Sequence, residues 1–112
     1  MTDTDDRREH ARYPLRAFAE LGNSTQEWAA HLLDISYFGA RVALLDDYQL
    51  NPGALIRLRI EIPESKVAQG KSPFLNLNGK LVHQHGHMLG IKYEPMTKAD
   101  AELLDHLLLN LN

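Results

Sequence analysis

The sequence predicts an all-β fold, a small antiparallel barrel or sandwich, followed by one C-terminal helix. Three observations carry this expectation. Apolar and polar residues alternate over short runs, turn-forming residues separate those runs, and the apolar period changes from two to nearly four after residue 97. Alternation at period two puts successive side chains on opposite faces of a half-buried strand, whereas period 3.6 gathers leucines on one helical face.

Residues 13–21 and 26–33 are the first two strands, separated by Gly22-Asn23-Ser24. Phe38 to Leu45 form a third and end at Asp46-Asp47. After the turn Asn51-Pro52-Gly53, residues 55–62 alternate most clearly. Ile56, Leu58, Ile60 and Ile62 fall on one face, and Arg57, Arg59 and Glu61 on the other. Pro63 stops this strand, and Glu64 to Ser72 read as a loop. Phe74 to His83 and Met88 to Glu94 then form a hairpin around Gly86. Thr97 is placed to cap a helix with Asp100 in its first turn. Leu103, Leu104, Leu107, Leu108 and Leu111 recur at helical spacing, so a helix is expected from about 97 to 110, packed by its leucines on the strands. Leu109 widens that stripe enough to meet another protein.

The chain has 112 residues, which sets the expectation of a single domain over 1–112, with a tail at 1–12, strands over 13–95 and the helix at 96–110. It contains no cysteine, which excludes disulfides, thiolate metal sites and a cysteine nucleophile. The net charge of −3 argues against a nucleic-acid polymer held by a broad basic face. The polar N-terminus is unlike a signal peptide, and no apolar run is long enough to span a bilayer, so a cytoplasmic protein without membrane contact is expected. Ser36 has no base at a motif spacing, and neither a nucleophile-elbow nor a phosphate-loop pattern occurs, so an enzyme is not expected. His83-x-His85-x-His87 could place imidazoles on one strand face, but Gly86 interrupts it and no carboxylate accompanies them; a solvated hairpin tip is expected, not a metal site. Trp28 reads as core.

Two polar motifs remain. The tail carries Arg7-Arg8-Glu9-His10-Ala11-Arg12 among acids, with almost nothing apolar, so it is expected to be mobile in the free protein. Pro14 pushes Tyr13 toward extended geometry rather than a helix. Read alone, these arginines are a solvated charge cluster; read as a site, their guanidinium groups suit phosphate and the O6/N7 edge of guanine. Asp34-Ile35-Ser36-Tyr37-Phe38-Gly39 lies between the second and third strands. Alone it is an ordinary turn. As a site, its carboxylate can accept from guanine N1–H and N2–H₂, its serine adds a polar contact, and its glycine permits close approach.

Arg-Arg-x-x-x-Arg followed by Asp-x-Ser-x-x-Gly resembles the PilZ domain family, with no motif position missing. Softer matches lie in Pro52-Gly53-x-Leu55-x-x-Leu58, in Gly79-Lys80-Leu81-Val82 and in Leu89-Gly90-Ile91-Lys92-Tyr93. The resemblance implies a six-stranded antiparallel β-barrel with a C-terminal helix that binds the bacterial messenger cyclic di-GMP and needs no other cofactor. It also implies that Arg8 and Arg12 clamp phosphates and guanine edges, that Asp34 and Ser36 contact a guanine, and that Gly39 shapes the turn. Arg7, just before the pair Arg8 and Arg12, is by the same resemblance associated with two stacked ligand molecules. His83 is the counterpart of a ligand-facing position on the penultimate strand. Ligand binding would then fold the tail onto the barrel and alter the surface that a monomer offers to an unidentified downstream protein, in motility or biofilm regulation. With no output domain expected after the helix, a changed surface is the signal. A ligand-independent adaptor of the same fold is the alternative, and the intact Arg8, Arg12, Asp34 and Ser36 set speaks against it.

Overall fold

A computed structural model describes residues 12–67 and 70–111. Six strands, β1 (Tyr13–Gly22), β2 (Glu27–Ile35), β3 (Gly39–Leu44), β4 (Leu55–Glu61), β5 (Phe74–His85) and β6 (Met88–Pro95), precede one helix, α1 (Lys98–Leu109). Every strand pairs antiparallel with its neighbours, and the order β1-β2-β3-β6-β5-β4 closes into a barrel. The choice between barrel and sandwich is thus resolved in favour of the closed form, which leaves no edge strand.

The alternation read from the sequence fills the interior. In β4, Ile56, Leu58 and Ile60 point inward while Arg57, Arg59 and Glu61 point out, and Ile62 is buried just beyond the strand. Trp28 is core, as expected of a mid-strand aromatic. Several boundaries differ by a residue or two, and one matters for the site: β2 runs on to Ile35, so Asp34 and Ile35 belong to the strand and not to the turn after it. The 64–72 loop contains a 3-10 turn at Glu64–Lys66. Strand β5 runs on to His85, because its ladder with β6 continues to the His85–Met88 pair. Strand β3 starts at Gly39 rather than Phe38, because Ser36 N–H closes a turn onto the Gly39 carbonyl at 2.8 Å.

Helix α1 packs Leu103, Leu104, Leu107 and Leu108 against the barrel, chiefly on β5 and β6. Each buried leucine stabilises by about 1.5–3 kcal/mol. Thr97 caps the helix, accepting from Asp100 N–H at 3.1 Å and donating back to Asp100 Oδ2 at 2.7 Å. Asp100 is buried and does more than complement the helix dipole: its Oδ1 accepts from Asn76 N–H of β5 at 3.0 Å. The cap therefore also ties the helix start to the barrel wall. Leu109 stays 61% exposed on the outer side of α1.

Candidate functional site

Strict alternation fails at a few positions, and these build the site. On β2, Trp28, Ala30 and Leu32 point into the barrel, so Asp34 has the parity of a core residue. The ladder with β3 is irregular between Leu32 and Asp34, with Leu32 opposite Val42 and Asp34 opposite Arg41. The extra residue, Leu33, turns Asp34 to the outer face. A second irregularity on β5, between Leu81 and His83, does the same for His83. Without it His83 would follow Leu77, Gly79 and Leu81 inward; with it, Val82 and His83 are both exposed. Strand β1 is also irregular between Pro14 and Ala17, opposite the β2 bulge. Bulges re-aim side chains in this way, and they gather at barrel rims and sites.

The register then sets five residues in one row across the outer wall. Pro14 pairs with Asp34, Asp34 with Arg41, Arg41 with Gly90, and Gly90 with His83. Asp34 accepts on both oxygens: Arg12 Nη1–H reaches Oδ1 at 3.1 Å, while Arg41 Nε–H reaches Oδ2 at 2.7 Å and Arg41 Nη2 lies 2.6 Å from the same oxygen. These arginines cover the carboxylate and leave its side chain 9% exposed. A carboxylate that buried requires paired charge. Gly90 has no side chain to separate Arg41 from His83, and the imidazole lies against it. A Cβ added at Gly90 would stand 3.2 Å from His83 Cδ2.

The loop between β2 and β3 is closed on itself. Ser36 Oγ donates to the Gly39 carbonyl at 3.2 Å and accepts from Gly39 N–H at 3.1 Å and Phe38 N–H at 3.3 Å. The hydroxyl expected to touch ligand is thus committed to holding the turn. Gly39 needs no left-handed backbone; its requirement is space, since a Cβ there would lie 2.8 Å from the Ile91 carbonyl oxygen of β6. Two tyrosines extend the loop's connections. Buried Tyr93 donates to the Ser36 carbonyl, and burial pushes its pKa well above the ordinary value, against the opposing influence of Arg12. Tyr37 donates to Asp105 Oδ1 of α1 at 2.9 Å; its own pKa is raised, first by desolvation and then by that carboxylate.

Arg12, Ser36, Gly39 and His83 line a single groove of about 440 Å³, with Asp34 behind Arg12 and Arg41. Arg41 and Lys92 line it too, and neither was singled out from the sequence. Arg41 had one readable signal, an outward charge in the short strand Gly39-Ala40-Arg41-Val42; nothing local marks Lys92, which enters through the β3–β6 pairing of Gly39 with Lys92. The groove thus combines three cations with one shielded carboxylate and two imidazoles, those of His83 and His85. Arg7 and Arg8 lie outside the described residues. Of the three histidines of the hairpin, His83 and His85 line the groove, whereas His87 meets Asp47 at 3.3 Å and the Tyr48 ring. Among the described residues no group of three or more histidines and acids could hold a metal ion, and no helix is long and apolar enough to cross a membrane.

A PilZ domain family model matches residues 6–110. No curated protein sequence matches significantly. Among solved structures, the PilZ domain of CeSA from a cellulose-synthesizing bacterium is similar at TM-score 0.67 and 16% identity, over 89% of this chain and 96% of that one. The PilZ domain with c-di-GMP of YcgR from Escherichia coli is similar at TM-score 0.68 and 11% identity, over 89% and 87%. The inhibitor of motility MotI/DgrA of Bacillus subtilis gives TM-score 0.67 and 17% identity over 88% of this chain, which spans only 48% of that protein. At such identities the likeness is one of fold.

Proposed function

Because the chain belongs to the PilZ domain family, we propose that it is a receptor for cyclic di-GMP and not an enzyme, with the groove over β2, β3, β6 and β5 as its binding site. The observation that carries this reading is the single row that brings Asp34, Arg41 and His83 together, with Arg12 laid onto Asp34. A dianionic ligand with planar guanine bases needs what these side chains supply. Arginine pairs with phosphate oxygens or the guanine O6/N7 edge, and a carboxylate accepts from guanine N1–H and N2–H₂. His83, seated on Gly90, offers a flat face for a base. The groove's volume of about 440 Å³ suits a small molecule.

In this reading Arg7 and Arg8 join Arg12 around the ligand, and Ser36 and Gly39 keep the loop in shape. Arg7 favours two stacked ligand molecules. The ordered tail and the added nucleotide charge form the altered surface that a downstream protein reads. Likeness in fold to an inhibitor of motility makes motility the process to examine first. Isothermal titration with cyclic di-GMP, beside GTP and cyclic GMP, tests the assignment. Selective binding near two ligands per chain is expected. A folded protein that binds none of them is instead a ligand-independent adaptor. Hydrogen exchange should show residues 1–12 protected only with ligand; protection in the free protein refutes folding on binding.

A further inference from the structure

The geometry points to Arg41 as a positioning residue that holds Asp34 so that one carboxylate oxygen can pass from Arg12 to the ligand, an inference that rests on the cyclic di-GMP reading above. The two arginines grip Asp34 unequally. Arg41 donates Nε–H to Oδ2 at 2.7 Å and holds Nη2 2.6 Å from the same oxygen, from the interior of a strand laddered on both sides, opposite Asp34 and opposite Gly90. Arg12 places one N–H on Oδ1, at 3.1 Å, from the residue just before β1. A short charge-assisted bond with a second guanidinium nitrogen close to the same oxygen outweighs one longer bond, so Oδ2 is the fixed oxygen and Oδ1 the exchangeable one.

That division solves a charge problem. The Asp34 side chain is only 9% exposed, and removing its sole cation would leave a buried carboxylate unpaired. With Arg41 in place, Arg12 can leave without that penalty. Oδ1 then accepts from a guanine N1–H and N2–H₂ edge, and the freed Arg12 guanidinium turns to a phosphate or to O6/N7 of the same ligand. The exchange keeps the carboxylate paired throughout and moves a cation onto the incoming anion. Lysine cannot substitute fully at 41, because a single ammonium lacks the pair of guanidinium nitrogens that Arg41 sets against Oδ2.

A double-mutant cycle in cyclic di-GMP titrations separates this role from direct contact and from scaffolding. Arg41→Ala should weaken binding about ten-fold, equivalent to about 1.4 kcal/mol. Asp34→Asn should weaken it by about ten-fold or more, and adding Arg41→Ala to Asp34→Asn should change affinity by less than about two-fold. Arg41→Lys should recover only part of the loss. Each variant's fold is checked by urea unfolding followed through Trp28; if Arg41→Ala does not fold, Arg41→Lys carries the cycle. Unchanged affinity in Arg41→Ala overturns the inference while leaving the receptor reading intact. Additive losses in the double variant also overturn it, because Arg41 would then touch the ligand itself. If the folded wild type binds no cyclic di-GMP, the receptor reading fails and the exchange falls with it.

Discussion

Gly39→Ala isolates one structural cause from others at the same loop. The backbone of Gly39 lies outside the left-handed region, so alanine meets no φ penalty there. What it meets is the Ile91 carbonyl oxygen, 2.8 Å from the new methyl, a distance that side-chain carbons do not tolerate. Neither end yields easily. Gly39 pairs with Lys92, Tyr93 N–H donates to the Phe38 carbonyl at 3.0 Å, and the Gly39 carbonyl accepts from both Ser36 donors. Overpacking of this kind costs about 1–3 kcal/mol. Alanine recovers about 0.4–1 kcal/mol by restricting the unfolded chain. A net loss of about 1–2 kcal/mol is expected, or roughly 4–8 °C in Tm for a domain of this size. Urea unfolding read by Trp28 fluorescence gives the number, and cyclic di-GMP titration of the same sample should show weaker binding as the loop shifts. Gly53→Ala is the contrast, since Gly53 has φ +96° and nothing within 4 Å, so it destabilises through backbone strain alone and leaves the groove untouched. A Gly39→Ala protein as stable as wild type would refute the close-approach reading.

Other substitutions test other connections. Ser36→Ala removes the hydroxyl that accepts from Phe38 N–H and Gly39 N–H and should destabilise by about 1–3 kcal/mol by the same unfolding assay; no change would mean that solvent replaces the hydroxyl. Arg8→Ala and Arg12→Ala should each lower cyclic di-GMP affinity roughly ten- to hundred-fold, and titrations unmoved by both would place the site elsewhere. Tyr37→Phe removes an exposed bond to Asp105 and should cost about 0.5–1.5 kcal/mol or less, with faster amide exchange in α1; unaltered exchange would uncouple the loop from the helix. Tyr93 has its pKa raised in the folded protein, so folding favours its protonated form. That contribution is intact below the unfolded tyrosine value of 10.0 and is lost as pH rises above it, by about 1.4 kcal/mol per pH unit. Tyr37 adds in the same direction. Tyr93→Phe should flatten the stability–pH curve above pH 10 without abolishing it, and an unchanged slope would contradict the assignment.

Six strands and a helix were legible because each rests on local chemistry: alternation in β4, Pro63 at its end, Asn51-Pro52-Gly53 before it, leucine spacing and Thr97 in α1. Barrel closure was not local. It depends on β3 meeting β6 and β4 meeting β1, pairings that no stretch of sequence announces and that came only with the family resemblance. The same non-local step hid Lys92 and obscured Arg41. It also hid the tyrosine bonds, since Tyr93 and Ser36 are 57 residues apart and Tyr37 and Asp105 are 68 apart.

The site lies where the binary pattern breaks, and this follows from what a barrel's outer wall must do to bind an anion. A closed barrel of this size fills its interior with side chains, so ligand-facing groups have to stand on the convex surface. An acidic group there would ordinarily be bathed in water and worth little as a discriminating acceptor. The β2 bulge places Asp34 outward, between Arg12 and Arg41, where those two side chains rather than solvent surround it. The β5 bulge brings His83 to the far side of Gly90, giving the row a flat, aromatic end. Deleting Leu33 therefore separates outward parity from the bulge itself. Asp34 would follow Leu32 directly, keep its outward parity and face Arg41 in a regular ladder, so a folded deletion variant should still bind cyclic di-GMP. A folded variant that no longer binds would show that the local twist of the bulge, and not outward parity alone, sets the row.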